Sequence, residues 1–101
     1  MIDINQLPEF DPAEYLEDDE DISLFLEEVF KSKDPQHIAN AIGIVARARG
    51  MNEIAKKSGL RREYLYQVLS PKGNPTLSTL IPILEALDID LTVRHHSLRH
   101  A

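Results

Sequence analysis

Apolar residues recur at helical spacing along most of this chain, and the recurrence predicts an all-α protein. Between residues 19 and 31, for example, one helical face carries Ile22, Phe25, Leu26, Val29 and Phe30. Helices are predicted over residues 11–17, 19–31, 34–49, 52–58, about 62–70, and 76–87. We therefore expect an all-α domain of about five helices with an acidic helical extension at its N-terminus.

Helix boundaries are marked by residues with known preferences for helix ends. Asp11-Pro12 and Asp34-Pro35 each place an N-cap carboxylate before a proline at the first helical position. Gly50 and Gly59 are expected to end helices, since glycine adopts the left-handed conformation common at such ends. Pro82 lies inside the last helical pattern and predicts either a kink or a later helix start.

The segment 89–94, IDLTVR, alternates apolar and polar residues and predicts one short strand at the C-terminal side. One strand cannot be stable alone. It is expected either to pair with the same strand of a second subunit or to pack as an extended tail.

Residues 51–70 have the layout of a helix-turn-helix, in which the second helix enters the DNA major groove. Ile54 and Ala55 face inward on the first helix, and Leu60 is expected to be buried under the turn. On the second helix, the inward arc is predicted to contain Tyr64, Leu65, Val68 and Leu69. The opposite arc carries long hydrogen-bond donors.

Charge is separated along the chain, although the net charge is −6 and the pI is about 5.1. Residues 47–73 hold seven Lys and Arg against two Glu, whereas residues 1–34 hold twelve Asp and Glu against two Lys. Salt screens charges that lie more than about 10 Å apart. A DNA phosphate therefore interacts mainly with the basic patch next to it, and the net charge of the whole protein matters less. The two regions therefore predict two different kinds of partner.

The candidate DNA-binding residues lie on the polar side of the helix-turn-helix. Arg pairs bidentately with guanine and Gln with adenine, so base-edge or phosphate contacts are assigned to Arg61, Arg62, Tyr66 and Gln67. Sequence-independent backbone contacts are assigned to Asn52, Lys56, Lys57, Ser70 and Lys72. The alternative is an ordinary solvated surface.

The acidic run 17–21 lacks the ligand spacing and the glycine of an EF-hand, so no metal is expected there. It is either a solvated helix start or a surface that attracts a basic protein. The residues proposed for such a protein contact are Phe10, Tyr15, Leu16, Glu20, Asp21, Phe25, Leu26 and Phe30. The apolar ones among them are alternatively core residues.

Neither an enzyme nor a cofactor-binding protein is indicated by the sequence. Cysteine is absent, and no phosphate-binding glycine loop or Gly-x-Ser-x-Gly turn is present. His95, His96 and His100 lie on the C-terminal tail, where they are interpreted as incidental. A cytoplasmic protein is expected, since no apolar run approaches the roughly 20 residues that cross a bilayer.

Residues 10–94 resemble the HigA-like addiction-module antidotes, which carry a lambda-repressor (XRE-type) helix-turn-helix. The resemblance is carried by FDPAEYLEDDEDISLFLEEVF and by the run ARARGM to LSPKGNPTLSTL. It implies an antitoxin of a type II toxin–antitoxin system that represses its own operon as a homodimer bound to double-stranded operator DNA. It also implies neutralisation of a small basic RelE/ParE-like toxin.

The resemblance suggests an acidic segment over 1–33, a DNA-binding domain over 34–94 and a tail over 95–101. Two alternatives remain open at this point. The chain could be a stand-alone repressor of the same fold without a toxin. It could also be a protein-interaction adaptor that has lost DNA binding, in keeping with its net acidity.

Overall fold

Residues 18–96 are described by a computed structural model, in which they form five α-helices. The helices are α1 (Asp19–Phe30), α2 (Pro35–Arg49), α3 (Met51–Ser58), α4 (Arg62–Val68) and α5 (Leu77–Ala86). The all-helical class is confirmed, while the helix predicted over 11–17 lies outside the described residues. Along residues 18–96, no helix is both long and apolar enough to cross a membrane.

Carboxylate caps start α1 and α2; the cap at Asp34 was predicted, the cap at Asp18 was not, and the predicted cap at Asp11 lies outside the described residues. Asp18 precedes α1 and its side chain accepts a hydrogen bond from the N–H of Asp21 at 2.8 Å. Asp34 precedes α2 and accepts from the N–H groups of Gln36 at 3.0 Å and His37 at 3.4 Å. These contacts satisfy amide groups that have no partner within the helix.

The helix ends depend on two glycines with positive φ. Gly50, with φ of 104°, lies between α2 and α3 and donates its N–H to the carbonyl of Ala46. Gly59, with φ of 77°, adopts the left-handed conformation that ends α3. Both predicted ends are confirmed, and the chain can turn there because glycine has no Cβ to oppose these angles.

Helix α5 begins at Leu77, so of the two alternatives given for Pro82, a kink or a late helix start, the late start is wrong. Pro82 lies within the helix and removes one N–H from its hydrogen-bond ladder. The carbonyl that would have received that N–H belongs to Ser78, an exposed residue that water can reach. Thr76 precedes α5 without a side-chain capping bond.

The hydrophobic core joins all five helices. Its largest fully buried side chains are Ile42, Val45, Ile54, Leu65, Ile83 and Leu84, which come from α2 to α5. Helix α1 adds Ile22, Leu26 and Val29 and packs against α2. Helix α2 contacts α1, α3 and α4, and α3 contacts α2, α4 and α5, so these two helices form the centre of the domain.

The strand predicted over 89–94 is absent from the described chain. Within residues 18–96 the segment has no second strand to pair with, so it forms no strand in a single subunit. It follows α5 as a tail without regular secondary structure, in keeping with the second of the two alternatives. Pairing with a second subunit stays a prediction.

Tyr64 is also placed differently from its prediction. It is 40% exposed rather than buried, and its hydroxyl lies 3.4 Å from Thr79 Oγ1 on α5. The buried stripe of α4 is narrower than predicted and consists of Leu65 and Leu69, while Val68 and Leu60 are half-buried.

Gly43 on α2 allows the C-terminal end of α4 to approach closely. A Cβ at position 43 would overlap the backbone carbonyl oxygen of Leu69. Position 73 is similar, because a Cβ there would overlap the carbonyl oxygen of Val68. Both contacts involve backbone atoms, which cannot rotate away as a side chain can.

We predict that Gly43→Ala lowers the free energy of unfolding by about 1–3 kcal/mol, because the added methyl group overpacks this contact. Alanine has the higher helix propensity by about 1 kcal/mol, so propensity alone would give the opposite sign. Urea denaturation measures the difference. Ala48→Gly, at an exposed position of the same helix, is the control and should show only the propensity loss. A stabilised Gly43→Ala variant would contradict the close contact.

Candidate nucleic-acid interface

The pair α3–α4 is held by its inner face and by the turn at Gly59. Met51 and Ile54 bury the inner face of α3, which packs against α2, α4 and α5. In the turn, Ser58 Oγ donates to the carbonyl of Ala55 at 3.4 Å and accepts the N–H of Leu60 at 3.2 Å. These contacts set the direction in which α4 leaves the turn.

The outer side of α4 is exposed along its whole length. Leu65 and Leu69 are buried on the inner side, whereas Arg62, Tyr66 and Gln67 face away from the core. The separation of the two sides follows from helical spacing over fewer than two full turns. The structure thus brings together three of the residues predicted for base contacts on one exposed surface.

Arg62 and Tyr66 interact with each other on that surface. The guanidinium carbon of Arg62 lies 5.5 Å from the centroid of the Tyr66 ring, within cation–π range. Arg62 Nη2 also donates to the Tyr66 hydroxyl at 3.4 Å, a long hydrogen bond. This hydrogen bond raises the pKa of the Arg62 guanidinium above its ordinary value, so the group stays cationic.

Arg61 stands at the N-cap position of α4, with an extended backbone and no side-chain capping bond. Its side chain is exposed beside that of Arg62. Two adjacent cations therefore stand at the start of the helix predicted to contact DNA.

The turn after α4 uses Ser70 within the protein. Ser70 Oγ donates to the carbonyl of Gln67 at 3.0 Å and accepts the N–H of Lys72 at 3.3 Å. The carbonyl of Ser70 accepts the N–H of Gly73 at 2.9 Å. A hydroxyl engaged in this way shapes the turn that presents Lys72, which is exposed.

The predicted phosphate contacts on α3 form its outer side. Asn52, Lys56 and Lys57 are exposed. Lys57 Nζ lies 3.8 Å from Glu53 Oε1, one helical turn away, with both side chains about half exposed. An exposed pair of this kind is weak, because solvent screens it, so Lys57 can exchange its partner at little cost.

An ion pair between Arg49 and Asp19 joins the end of α2 to the start of α1. The sequence gives no sign of this contact, because the two residues are 30 positions apart. It places the acidic start of α1 near Gly50 and the start of α3. The acidic and basic regions therefore adjoin in the fold, although they are far apart in sequence.

The residues predicted for a protein contact are divided by the structure. Phe10, Tyr15 and Leu16 lie outside the described residues. Of the others, Glu20 is exposed, Asp21 is partly exposed, Phe25 and Phe30 are half-buried against the core, and Leu26 is buried. Leu26 is therefore a core residue of α1, in line with the alternative considered for it.

Leu24 is an exposed apolar residue of α1 that the sequence interpretation missed. It is 59% exposed and lies at helical spacing from the exposed residues Glu20, Glu27 and Glu28. On a helical wheel with 100° per residue, Leu24 lies on the side away from the buried residues Ile22 and Val29. Its exposure could therefore have been predicted from the sequence. The result is a leucine surrounded by carboxylates on an acidic surface.

The described part of the chain contains no group of three or more His, Cys, Asp or Glu residues arranged to hold a metal ion. His95 and His96 lie at the end of the described range, and His100 lies beyond it.

Comparison with known proteins assigns the chain to a family. Residues 6–95 match the profile of a family described as "Probable addiction module antidote protein". A relative from Haemophilus influenzae, described as an uncharacterized protein, is 42% identical over 89 residues, which cover 88% of this chain and 92% of the relative. No solved structure matches the chain. The profile spans nearly the whole sequence, and the chain therefore belongs to the family of probable addiction module antidote proteins.

Proposed function

We propose that this protein is the antitoxin of a type II toxin–antitoxin system with two binding activities. As a homodimer it binds operator DNA through α3 and α4 and represses its own operon. Through α1 and the residues before it, it binds and neutralises a small basic RelE/ParE-like toxin in the cytoplasm. Membership of the antidote family supports the antitoxin role and implies a toxin partner.

The observation that carries the DNA-binding proposal is the exposed side of α4. Arg62 and Gln67 are the residue types that read guanine and adenine in the major groove, and both face away from the core. The only hydrogen bond of the Arg62 side chain within residues 18–96 is the one to its neighbour Tyr66. Guanidinium and amide groups left open to solvent on a helix of this length are available to base edges.

The positions of the remaining cations support the same orientation. Lys56 and Lys57 on α3 and Lys72 after α4 flank the exposed side of α4 along the chain and are themselves exposed. Phosphate contacts from flanking elements orient a helix in the groove while side chains on that helix read bases. We assign α4 to the recognition helix of a lambda-repressor-like helix-turn-helix and α3 to the helix before it.

The acidic surface of α1 supports a basic protein partner. Leu24 supplies an apolar contact, and Glu20, Glu27 and Glu28 supply charges around it. An interface with an apolar centre and a charged rim combines burial with electrostatic attraction. Leu24 is a better candidate for the centre of such a contact than Phe25, which already packs against the core.

We predict that Arg62→Ala weakens operator binding by about 1–3 kcal/mol and relaxes base preference at one position. Electrophoretic mobility shifts with the promoter DNA of the operon measure the affinity, and footprinting measures the preference. Wild-type binding should also fall steeply between two salt concentrations, because phosphate contacts release counterions.

Lys31→Ala is the matched control for Arg62→Ala, since it removes one cation from α1, away from the α3–α4 pair. It should leave the affinity nearly unchanged. Equal affinities of Arg62→Ala and wild type for the operator would contradict the assignment of α4. Binding without salt dependence would contradict DNA recognition by this surface altogether.

We predict that Leu24→Arg weakens the complex with the toxin by about tenfold or more, because it replaces the apolar centre with a like charge for a basic partner. We expect the toxin to be encoded beside this gene as a small basic protein, and such a protein is the one to test. Calorimetry gives the affinity, and growth during co-expression gives the neutralisation. Ser78→Arg, at an exposed position on α5, is the control for the added charge. Unimpaired neutralisation by Leu24→Arg would rule out this contact.

A further inference from the structure

The segment 90–94, Asp-Leu-Thr-Val-Arg, leaves the helical domain with its backbone unpaired. Among residues 18–96, no backbone hydrogen-bond partner is available to it. Val93 is 99% exposed and Leu91 is 50% exposed. A segment outside the helices that has open N–H and C=O groups and exposed β-branched residues can pair with another strand.

The start of this segment is held rigidly by the core. Asp88, with φ of 58°, ends the turn after α5. The next residue, Ile89, is half-buried against the core and donates its N–H to the carbonyl of Leu84 at 2.9 Å. The segment then runs beside α1, and a groove of about 710 Å³ lies between them. Apolar side chains of α1, Leu26 and Phe30, contribute to the lining of this groove.

We propose that segment 90–94 pairs in antiparallel fashion with the same segment of a second copy of this chain, about a two-fold axis through Thr92. In this register Asp90 lies opposite Arg94 of the second copy, and Leu91 lies opposite Val93. The symmetry generates each pair twice. The five residues therefore form a strand that is complementary to itself in both charge and hydrophobicity.

Directly opposite residues of an antiparallel pair lie on the same face of the ribbon. The favoured register is therefore the one that pairs apolar residues with apolar residues and opposite charges with each other. If the pairing shifted by one residue, apolar residues such as Leu91 would lie opposite polar ones such as Thr92. Such a register loses the apolar contact across the ribbon. An axis through Leu91 would pair Arg94 with Asp88, whose left-handed backbone lies outside the extended region. An axis through Val93 would leave Arg94 opposite Thr92 rather than opposite a carboxylate.

Asp90 and Arg94 are both free for such a pairing. Neither residue has an ion-pair or hydrogen-bond partner in the part of the chain from 18 to 96. Oppositely charged cross-strand neighbours stabilise a ribbon, and like charges in the same positions destabilise it. A two-stranded ribbon is marginal alone. Leu91 lines the groove together with Leu26 and Phe30, so its pairing with the second copy's Val93 would extend that apolar surface.

This inference goes beyond the proposed function by naming the surface through which the copies associate. It rests on that function only in expecting a dimer. The experiment uses the full chain without DNA or toxin, so its outcome is independent of operator binding and of neutralisation.

The test is a charge exchange measured by sedimentation over a range of protein concentrations. Asp90→Arg and Arg94→Asp each place like charges opposite one another twice in the dimer, and we expect each to weaken dimerisation by about tenfold. The double variant Asp90→Arg/Arg94→Asp places opposite charges together again and should restore most of the affinity. Failure of the double variant to restore dimerisation would overturn the proposed register.

Three further variants identify the surface itself. Val93→Asp should abolish the dimer and leave the circular dichroism of the monomer unchanged, because the side chain is fully exposed in one chain. Glu85→Arg, which changes the charge as much as Asp90→Arg at an exposed position of α5, should dimerise like the wild type. Ile81→Asp tests the alternative apolar surface of α5, formed with Leu77. Dissociation by Ile81→Asp but not by Val93→Asp, or a wild type that stays monomeric, would overturn the proposal.

Discussion

The close approach of α2 to the end of α4 is the contact on which the arrangement of the domain depends. Gly43 leaves room for the backbone of Leu69, and Leu65 is then buried completely beside it. Because α4 buries only a narrow stripe against the core, its opposite side stays in solvent. A bulkier residue at position 43 would force α4 outward and change the direction of every side chain that it carries. Exposure of the polar side is therefore a consequence of tight packing on the apolar side.

The two charged regions are neighbours in the folded chain. The sequence suggests a molecule with an acidic end and a basic middle, but the antiparallel packing of α1 and α2 returns the start of α1 to the end of α2. The ion pair between Asp19 and Arg49 marks their meeting point. An acidic helix start therefore lies beside the helix pair assigned to DNA. A protein bound at the start of α1 would therefore lie next to the start of α3, the first helix of the pair assigned to DNA.

Features determined by local chemistry could be predicted from the sequence, and features determined by distant contacts could not. Asp18, Asp34 and Gly59 act on amides or angles within a few residues of themselves, so their signals are visible in the chain. The pairing of segment 89–94 could not be decided from periodicity, because it requires a neighbouring strand and residues 18–96 contain none. Tyr64 was misplaced because its exposure depends on how closely α5 approaches α4. Helical projection alone placed Arg62, Tyr66 and Gln67, the residues proposed for DNA contact, on one exposed surface. The same projection applied to α1 would have identified the exposed Leu24.

The stacked arrangement of Arg62 and Tyr66 has a thermodynamic consequence. A free arginine samples many rotamers, and ordering such a side chain costs up to about 2 kcal/mol of entropy. The Tyr66 ring, itself fixed by only two torsions, already restrains the guanidinium above it. The contact forms without a ligand, so any restraint that it places on the guanidinium is present before a ligand arrives. A ligand that binds the guanidinium in its present position gains affinity from this restraint. A ligand that requires another Arg62 rotamer must break the contact between the guanidinium and the Tyr66 ring.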